Sequence, residues 1–196
     1  NQSLGYCQDN LRRITAAASA HGMRITLDME DRTLTDASLL MYKAIRSEFD
    51  NIGIVLQSRL FRTPEDIKSL HERPCRVRIC IGIYKERAEV ALQDKADMKA
   101  RLFEQVQLLL DHGHYPEIAT HDEPLVRRCI EHLDKRGVSR DAYEFQMLLG
   151  VPRTELQREI VERGQIMRLY VPFAEEWKYA IRYLKRRLAA SPSMAL

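Results

Sequence analysis

Short runs of β-branched and aliphatic residues alternate with longer amphipathic stretches from one end of this chain to the other, and no other feature constrains the fold as strongly. A strand that must pair in parallel with the next needs a long crossover, usually a helix, so the alternation predicts an α/β fold with a parallel sheet. The predicted strands are Arg24 to Asp28, Ile52 to Gln57, Val77 to Ile81, Glu117 to Thr120, Tyr143 to Leu148 and Met167 to Val171. All are short, as buried parallel strands are.

The intervening stretches read as helices. Ala37, Leu40, Met41, Ala44, Ile45 and Phe49 recur at helical spacing and predict a buried face that leaves Lys43, Arg46 and Glu48 outside. Thr63-Pro64-Glu65-Asp66 predicts a helix start with Thr63 as the N-cap hydroxyl, Pro64 in the first helical position and acid at the positive end of the dipole; Ile67 and Leu70 form its buried side. Asp94 to His112 is a longer helix with Met98, Leu102, Val106 and Leu109 on one face and Gly113 as a left-handed cap. Further helices are expected from about Asp9 to His21, Pro124 to Arg136, Thr154 to Arg163 and Glu175 to Ala190. No linker or low-complexity break interrupts them, so residues 1–196 read as a single domain.

Several function classes are set aside at this stage. Periodicity alone does not decide between a doubly wound sheet and a (β/α) barrel: no G-x-G-x-x-G follows a strand and no G-x-x-x-x-G-K-[ST] occurs, which leaves a nucleotide-binding sheet without support, while a barrel needs two more strands than the six found. The net charge of +3 is small and evenly spread, so no nucleic-acid partner is expected. There is no run of about 18 apolar residues, and Asn1 to Asn10 lack the pattern of a secretion signal, so the chain reads as soluble and cytoplasmic. Cys7, Cys75, Cys80 and Cys129 show no C-x-x-C spacing, and His112-Gly113-His114 reads as a surface turn, so no metal is expected.

In a barrel, ligand chemistry gathers at the C-terminal ends of the strands, and here those ends are polar. The first ends in Asp28-Met29-Glu30-Asp31 and the second in Gln57-Ser58. The third contains Arg78 and runs into Gly82-Ile83-Tyr84, and the fourth ends in Thr120-His121-Asp122. The fifth carries Glu144 and Gln146, and the sixth leads into Tyr170. Taken singly, Asp28 or Asp122 could cap a helix, Gln57 could bond to a loop and His121 could be a satisfied core histidine. Arg78 stands out, because a guanidinium in an apolar strand needs a partner such as Asp28 or a bound anion. The final helix adds Tyr183 and the pair Arg186-Arg187, whose planar forks suit a carboxylate or simply end a basic helix.

The segments Arg24-Ile-Thr-Leu-Asp-Met-Glu-Asp31, Gly53-Ile-Val-Leu-Gln-Ser58, Ala119-Thr-His-Asp122, Tyr143-Glu-Phe-Gln-Met-Leu148, Arg168-Leu-Tyr-Val-Pro172 and Arg186-Arg-Leu-Ala189 resemble, in order and spacing, the signatures of the proline dehydrogenase family. Val77-Arg-Ile-Cys-Ile-Gly-Ile-Tyr84 is similar to that family's R-L-V-K-G-A-Y segment. The resemblance runs from about Leu4-Gly5 to Pro192 and implies a distorted (β/α)8 TIM-type barrel, of which about six strand-and-helix units lie in this chain. It further implies FAD as cofactor, an amino-acid substrate oxidised from L-proline to 1-pyrroline-5-carboxylate, and a quinone acceptor with peripheral membrane association or oligomerisation. Carried over by position, it implies that Asp28 and Arg78 are catalytic and that Met29, Gln57, Arg78, Ile81, Gly82, Ile83, Thr120 and His121 bind the cofactor. Tyr170, Tyr183, Arg186 and Arg187 are implied as substrate-binding, with the arginine pair clamping the carboxylate.

The sequence also departs from the family pattern. Ile81 and Ile83 replace the family's lysine and alanine around Gly82, and Ala190 replaces a glutamate that contacts the substrate's amino group. Leu149 replaces an aromatic residue and Ala174 a glycine. These substitutions make a non-catalytic or specificity-altered relative the alternative to a proline-oxidising enzyme. An unrelated barrel enzyme using the arginine pair for phosphate is a third, more distant reading.

Overall fold

The computed structural model describes residues 2–70 and 73–190, without the side chains at positions 2, 182, 186, 187 and 190. The chain divides into two compact units, the first ending at Pro116 and the second beginning at Glu117.

In the first unit, α1 (Gln2–Ala20) leads to β1 (Ile25–Leu27), followed by a 3-10 turn (Arg32–Leu34) and α2 (Thr35–Glu48). Then come β2 (Ile52–Gln57), α3 (Thr63–Lys68), β3 (Arg76–Cys80) and α4 (Lys95–Asp111). The strands are parallel: β1 pairs with β2 through Ile25 opposite Ile52, and β2 with β3 through Ile54 opposite Val77 and Val55 opposite Arg78. Every residue of β2 is buried, whereas β3 alternates, with Val77 and Ile79 fully buried and Arg76, Arg78 and Cys80 on the other face. That alternation follows from the two-residue period of a strand. β4 (Tyr115–Ala119) begins in this unit, where Tyr115 N donates to the Cys75 carbonyl at 2.8 Å and the Arg76 guanidinium lies 3.7 Å from the centre of the Tyr115 ring.

In the second unit, α5 (Glu123–Lys135), β5 (Glu144–Leu148), α6 (Thr154–Glu162), β6 (Met167–Tyr170) and α7 (Trp177–Ala190) follow the rest of β4. Glu117 faces Glu144 and Phe145 faces Met167, again in parallel register. The core comprises Ile118, Val126, Leu133, Tyr143, Phe145 and Ile160, and each large apolar side chain removed from water contributes about 1.5–3 kcal/mol. Cys129 sits among them, and burial pushes its thiol up to about 12, as suits an inert core cysteine.

Three local expectations are corrected. The buried face of α2 is Thr35, Ser38, Leu39, Tyr42, Ile45 and Arg46, so it is rotated from the apolar stripe; Leu40 is exposed and Arg46 is only 4% exposed. The Arg46 guanidinium is tolerated there because it donates to the carbonyls of Phe49 at 3.3 Å and Pro74 at 2.9 Å and pairs with Asp50. Thr63 is not an N-cap: Arg62 holds that position, and Thr63 Oγ1 donates to the Gln57 carbonyl at 2.6 Å, tying α3 to the end of β2. His114 does not lie on a surface turn but is buried at 7% exposure, with Nδ1 accepting from Cys75 N at 3.3 Å. Gly113 before it has φ +70°, as expected of a left-handed cap.

Candidate functional site

In the first unit the sequence-predicted residues collect at the C-terminal ends of β1, β2 and β3. Arg78 lies on the face of β3 opposite Val77 and Ile79, and its side chain is 16% exposed. Its Nη1 comes within 3.9 Å of Asp28 Oδ1, a loose ion pair between the middle of one strand and the tip of another. The Asp28 carboxylate is 64% exposed and also accepts from Met29 N at 3.1 Å, while Met29 itself is buried.

Gln57 closes β2 and is buried. Its Nε2 donates to the Glu30 carbonyl at 2.9 Å, but its Oε1 has no hydrogen-bond partner among the described residues. A buried acceptor in that state is costly unless a ligand or water supplies a donor. The Gln57 amide lies across Gly82, which adopts φ +95°, and a Cβ built on Gly82 would fall 2.1 Å from Gln57 Oε1. Only glycine fits there on both counts. Ile81 and Ile83 flank it and are half-buried.

In the second unit, Thr120 is buried and its Oγ1 accepts from Asp122 N at 3.2 Å. Asp122 caps α5 through Leu125 N at 3.1 Å, as an aspartate at a strand end before a helix can. His121 Nε2 accepts from Leu148 N at 2.8 Å, and the His121 carbonyl accepts from Arg153 Nε at 2.9 Å. A neutral imidazole accepting at Nε2 carries its proton on Nδ1. Tyr170 ends β6, half-buried, with its carbonyl accepting from Leu149 N at 2.9 Å. Tyr183 is half-buried on α7; the backbone of Arg186 and Arg187 continues that helix, and their side chains lie outside the described residues, as does that of Ala190.

A polar set in the second unit exceeds what the sequence singled out. Gln146 Nε2 donates to Glu117 Oε2 at 2.8 Å and to Glu144 Oε1 at 2.6 Å, and Arg168 grips the two Glu144 oxygens at 2.5 and 3.0 Å. Glu144 and Gln146 are two apart and therefore share a strand face, which was visible in the sequence; the parallel register that puts Glu117 beside Glu144 was not. Tyr84 and Glu86, after β3, were also missed as organisers. Tyr84 bonds to Glu30, and Glu86 accepts from Arg32 N at 2.9 Å. Among the described residues no group of three or more histidine, cysteine or acidic side chains could hold a metal ion, and no helix is long and apolar enough to cross a membrane.

The donor set of the first unit fits a flat heteroaromatic cofactor such as FAD. Gln57 Oε1, which has no partner among the described residues, is an acceptor suited to a ring N–H, and Arg78 is a partly buried cation suited to a ring that gains negative charge.

Comparison with known proteins agrees with these features. A family model described as proline dehydrogenase matches residues 3–190. The chain is 39% identical over 188 residues to a proline dehydrogenase of Deinococcus radiodurans, covering 95% of this chain and 59% of that protein. It is 35% identical over 185 residues to proline dehydrogenase 2 of Bacillus subtilis (strain 168), covering 94% and 60%. The chain thus spans about 60% of the length of the curated relatives it matches. Among solved structures, proline utilization A from Bdellovibrio bacteriovorus inactivated by N-propargylglycine aligns with a TM-score of 0.86 at 28% identity, over 95% of this chain and 22% of that one. A Bradyrhizobium japonicum proline utilization A mutant aligns at 0.81 and 20% identity, over all of this chain and 24% of that one, and shows the fold alone. The repeated strand-and-helix units therefore belong to the TIM-type barrel class expected from the sequence.

Proposed function

Because the chain belongs to the proline dehydrogenase family, we propose that it forms the site-bearing part of an FAD-dependent oxidoreductase that oxidises L-proline, or a related cyclic secondary amine, to the corresponding imine such as 1-pyrroline-5-carboxylate, with electrons passing on to a quinone. The observation that carries the reading is the partly buried Arg78 guanidinium on β3 in a loose ion pair with Asp28 from the tip of β1, with Gln57, whose amide oxygen lacks a partner among the described residues, at the end of the neighbouring β2.

The chemistry FAD supplies when bound is acceptance of a hydride equivalent from the carbon beside the ring nitrogen. Arg78 contributes fixed positive charge in a partly water-excluded position, where it favours charge developing on a neighbouring group. Asp28, in a loose ion pair with Arg78, offers a carboxylate to an ammonium or its departing proton. Gln57, packed across the side-chain-free Gly82, presents an amide acceptor that suits a donor on the edge of a planar ring. On this reading, carried over from the sequence motifs, Met29, Thr120 and His121 would contact the cofactor, and Tyr170, Tyr183, Arg186 and Arg187 an amino-acid substrate whose carboxylate the arginine pair would orient.

A second reading, a relative that binds flavin without oxidising proline, is favoured by one observation: beside Gly82, the half-buried Ile81 lacks the charge of the family's lysine and the half-buried Ile83 adds bulk over its alanine. One experiment separates the two. Protein incubated with FAD and then desalted is expected to retain flavin absorbance, and added proline to bleach it. Retained flavin that is not bleached by proline, hydroxyproline or pipecolate selects the second reading. Protein that retains no flavin rejects both.

A further inference from the structure

The loop after β1 carries Asp28 and Met29, and side chains from the next two strand ends hold it. From β2, Gln57 Nε2 donates to the Glu30 carbonyl at 2.9 Å. From the loop after β3, the Tyr84 hydroxyl donates to the Glu30 carboxylate, and Glu86 Oε1 accepts from Arg32 N at 2.9 Å while its Oε2 stands 3.6 Å from Arg32 Nε. Arg32 opens the 3-10 turn, whose first N–H groups need outside acceptors; the Asp31 side chain serves Thr33 N at 2.9 Å, and Glu86 serves Arg32 N. Glu86 is buried, and its loop is itself braced. Arg59 donates to the carbonyls of Tyr84 at 2.5 Å and Leu92 at 3.3 Å, and Gln93 Nε2 donates to the Glu86 carbonyl at 3.3 Å. A buried carboxylate that accepts a backbone N–H and faces a guanidinium has few alternative positions, so it transmits the geometry of one loop to the other.

We infer that Glu86 is a positioning residue, a latch delivered from the loop after β3 that sets the path of the β1 loop and so holds Asp28 beside Arg78. Its consequence for catalysis rests on the proposed function; the latch itself does not. The test is amide hydrogen exchange on the 196-residue chain and its Glu86→Ala and Glu86→Gln variants. Glu86→Ala leaves Arg32 N–H without its acceptor and is expected to speed exchange at Arg32 and Met29 at least about tenfold, with β2 amides unchanged. Glu86→Gln keeps an acceptor oxygen and is expected to restore most of the protection. Unchanged exchange at Arg32, or exchange raised equally in β2, overturns the latch. In flavin-loaded protein, proline-dependent bleaching is expected to slow in Glu86→Ala and recover in Glu86→Gln; equal slowing in both overturns the positioning role. Should the wild-type protein bind no flavin, the proposed function falls while the exchange data still decide the latch.

Discussion

Burial lowers the proton affinity of the His114 imidazole, the neighbouring His112 ring acts in the same direction, and a hydrogen bond to the Ile67 backbone opposes both. The folded state therefore binds this proton less readily than the unfolded chain does. Stability associated with His114 is full above the ordinary histidine pKa of about 6.5 and is lost as pH falls below it. Denaturant unfolding measured between about pH 8 and about pH 5 is expected to show a decline that flattens in His114→Gln; identical profiles would remove His114 as its source. Other single residues show what residue type alone conveys. Arg78 was legible because a guanidinium in an apolar strand demands a partner. Arg46 reads as solvated because, besides the i,i+4 Asp50, its partners are the carbonyls of Phe49 and Pro74, which no side-chain pattern reveals.

At the scale of elements, Asp94 is the N-cap of α4, its carboxylate accepting from Ala96 N at 2.7 Å and Asp97 N at 3.1 Å. Asp94→Ala is expected to lower stability by about 1 kcal/mol and Asp94→Asn by much less, read as the shift of a urea midpoint. The glycine stop at the other end was readable because it is local chemistry, satisfied within a few residues. All six strands overlap their predicted spans for a related reason: β-branched runs between helical stretches have few alternatives. The rotated face of α2 and the hydroxyl of Thr63 escaped because contacts distant in the chain decide them. The candidate residues of each unit divide in the same way. Asp28, Gln57, Arg78 and His121 are visible as polar strand ends, whereas Glu86 and the Glu117–Gln146–Glu144 bridge depend on loop path and register.

At the scale of the molecule, each unit carries its own buried core, and the large apolar side chains left in water are concentrated toward the end of the second. Phe173, Trp177, Tyr179, Leu184 and Leu188 are all exposed. Trp177, at the head of α7, is 79% exposed and is the one tryptophan in the sequence. Its indole emission therefore reports the surroundings of α7 and is nearly blind to both cores. Fluorescence of the native protein is expected to be red-shifted, close to that of the denatured chain, while circular dichroism registers the full unfolding transition. An acrylamide titration would quench the native emission almost as efficiently as that of free tryptophan, and any molecule that settles over α7 would announce itself first as a blue shift.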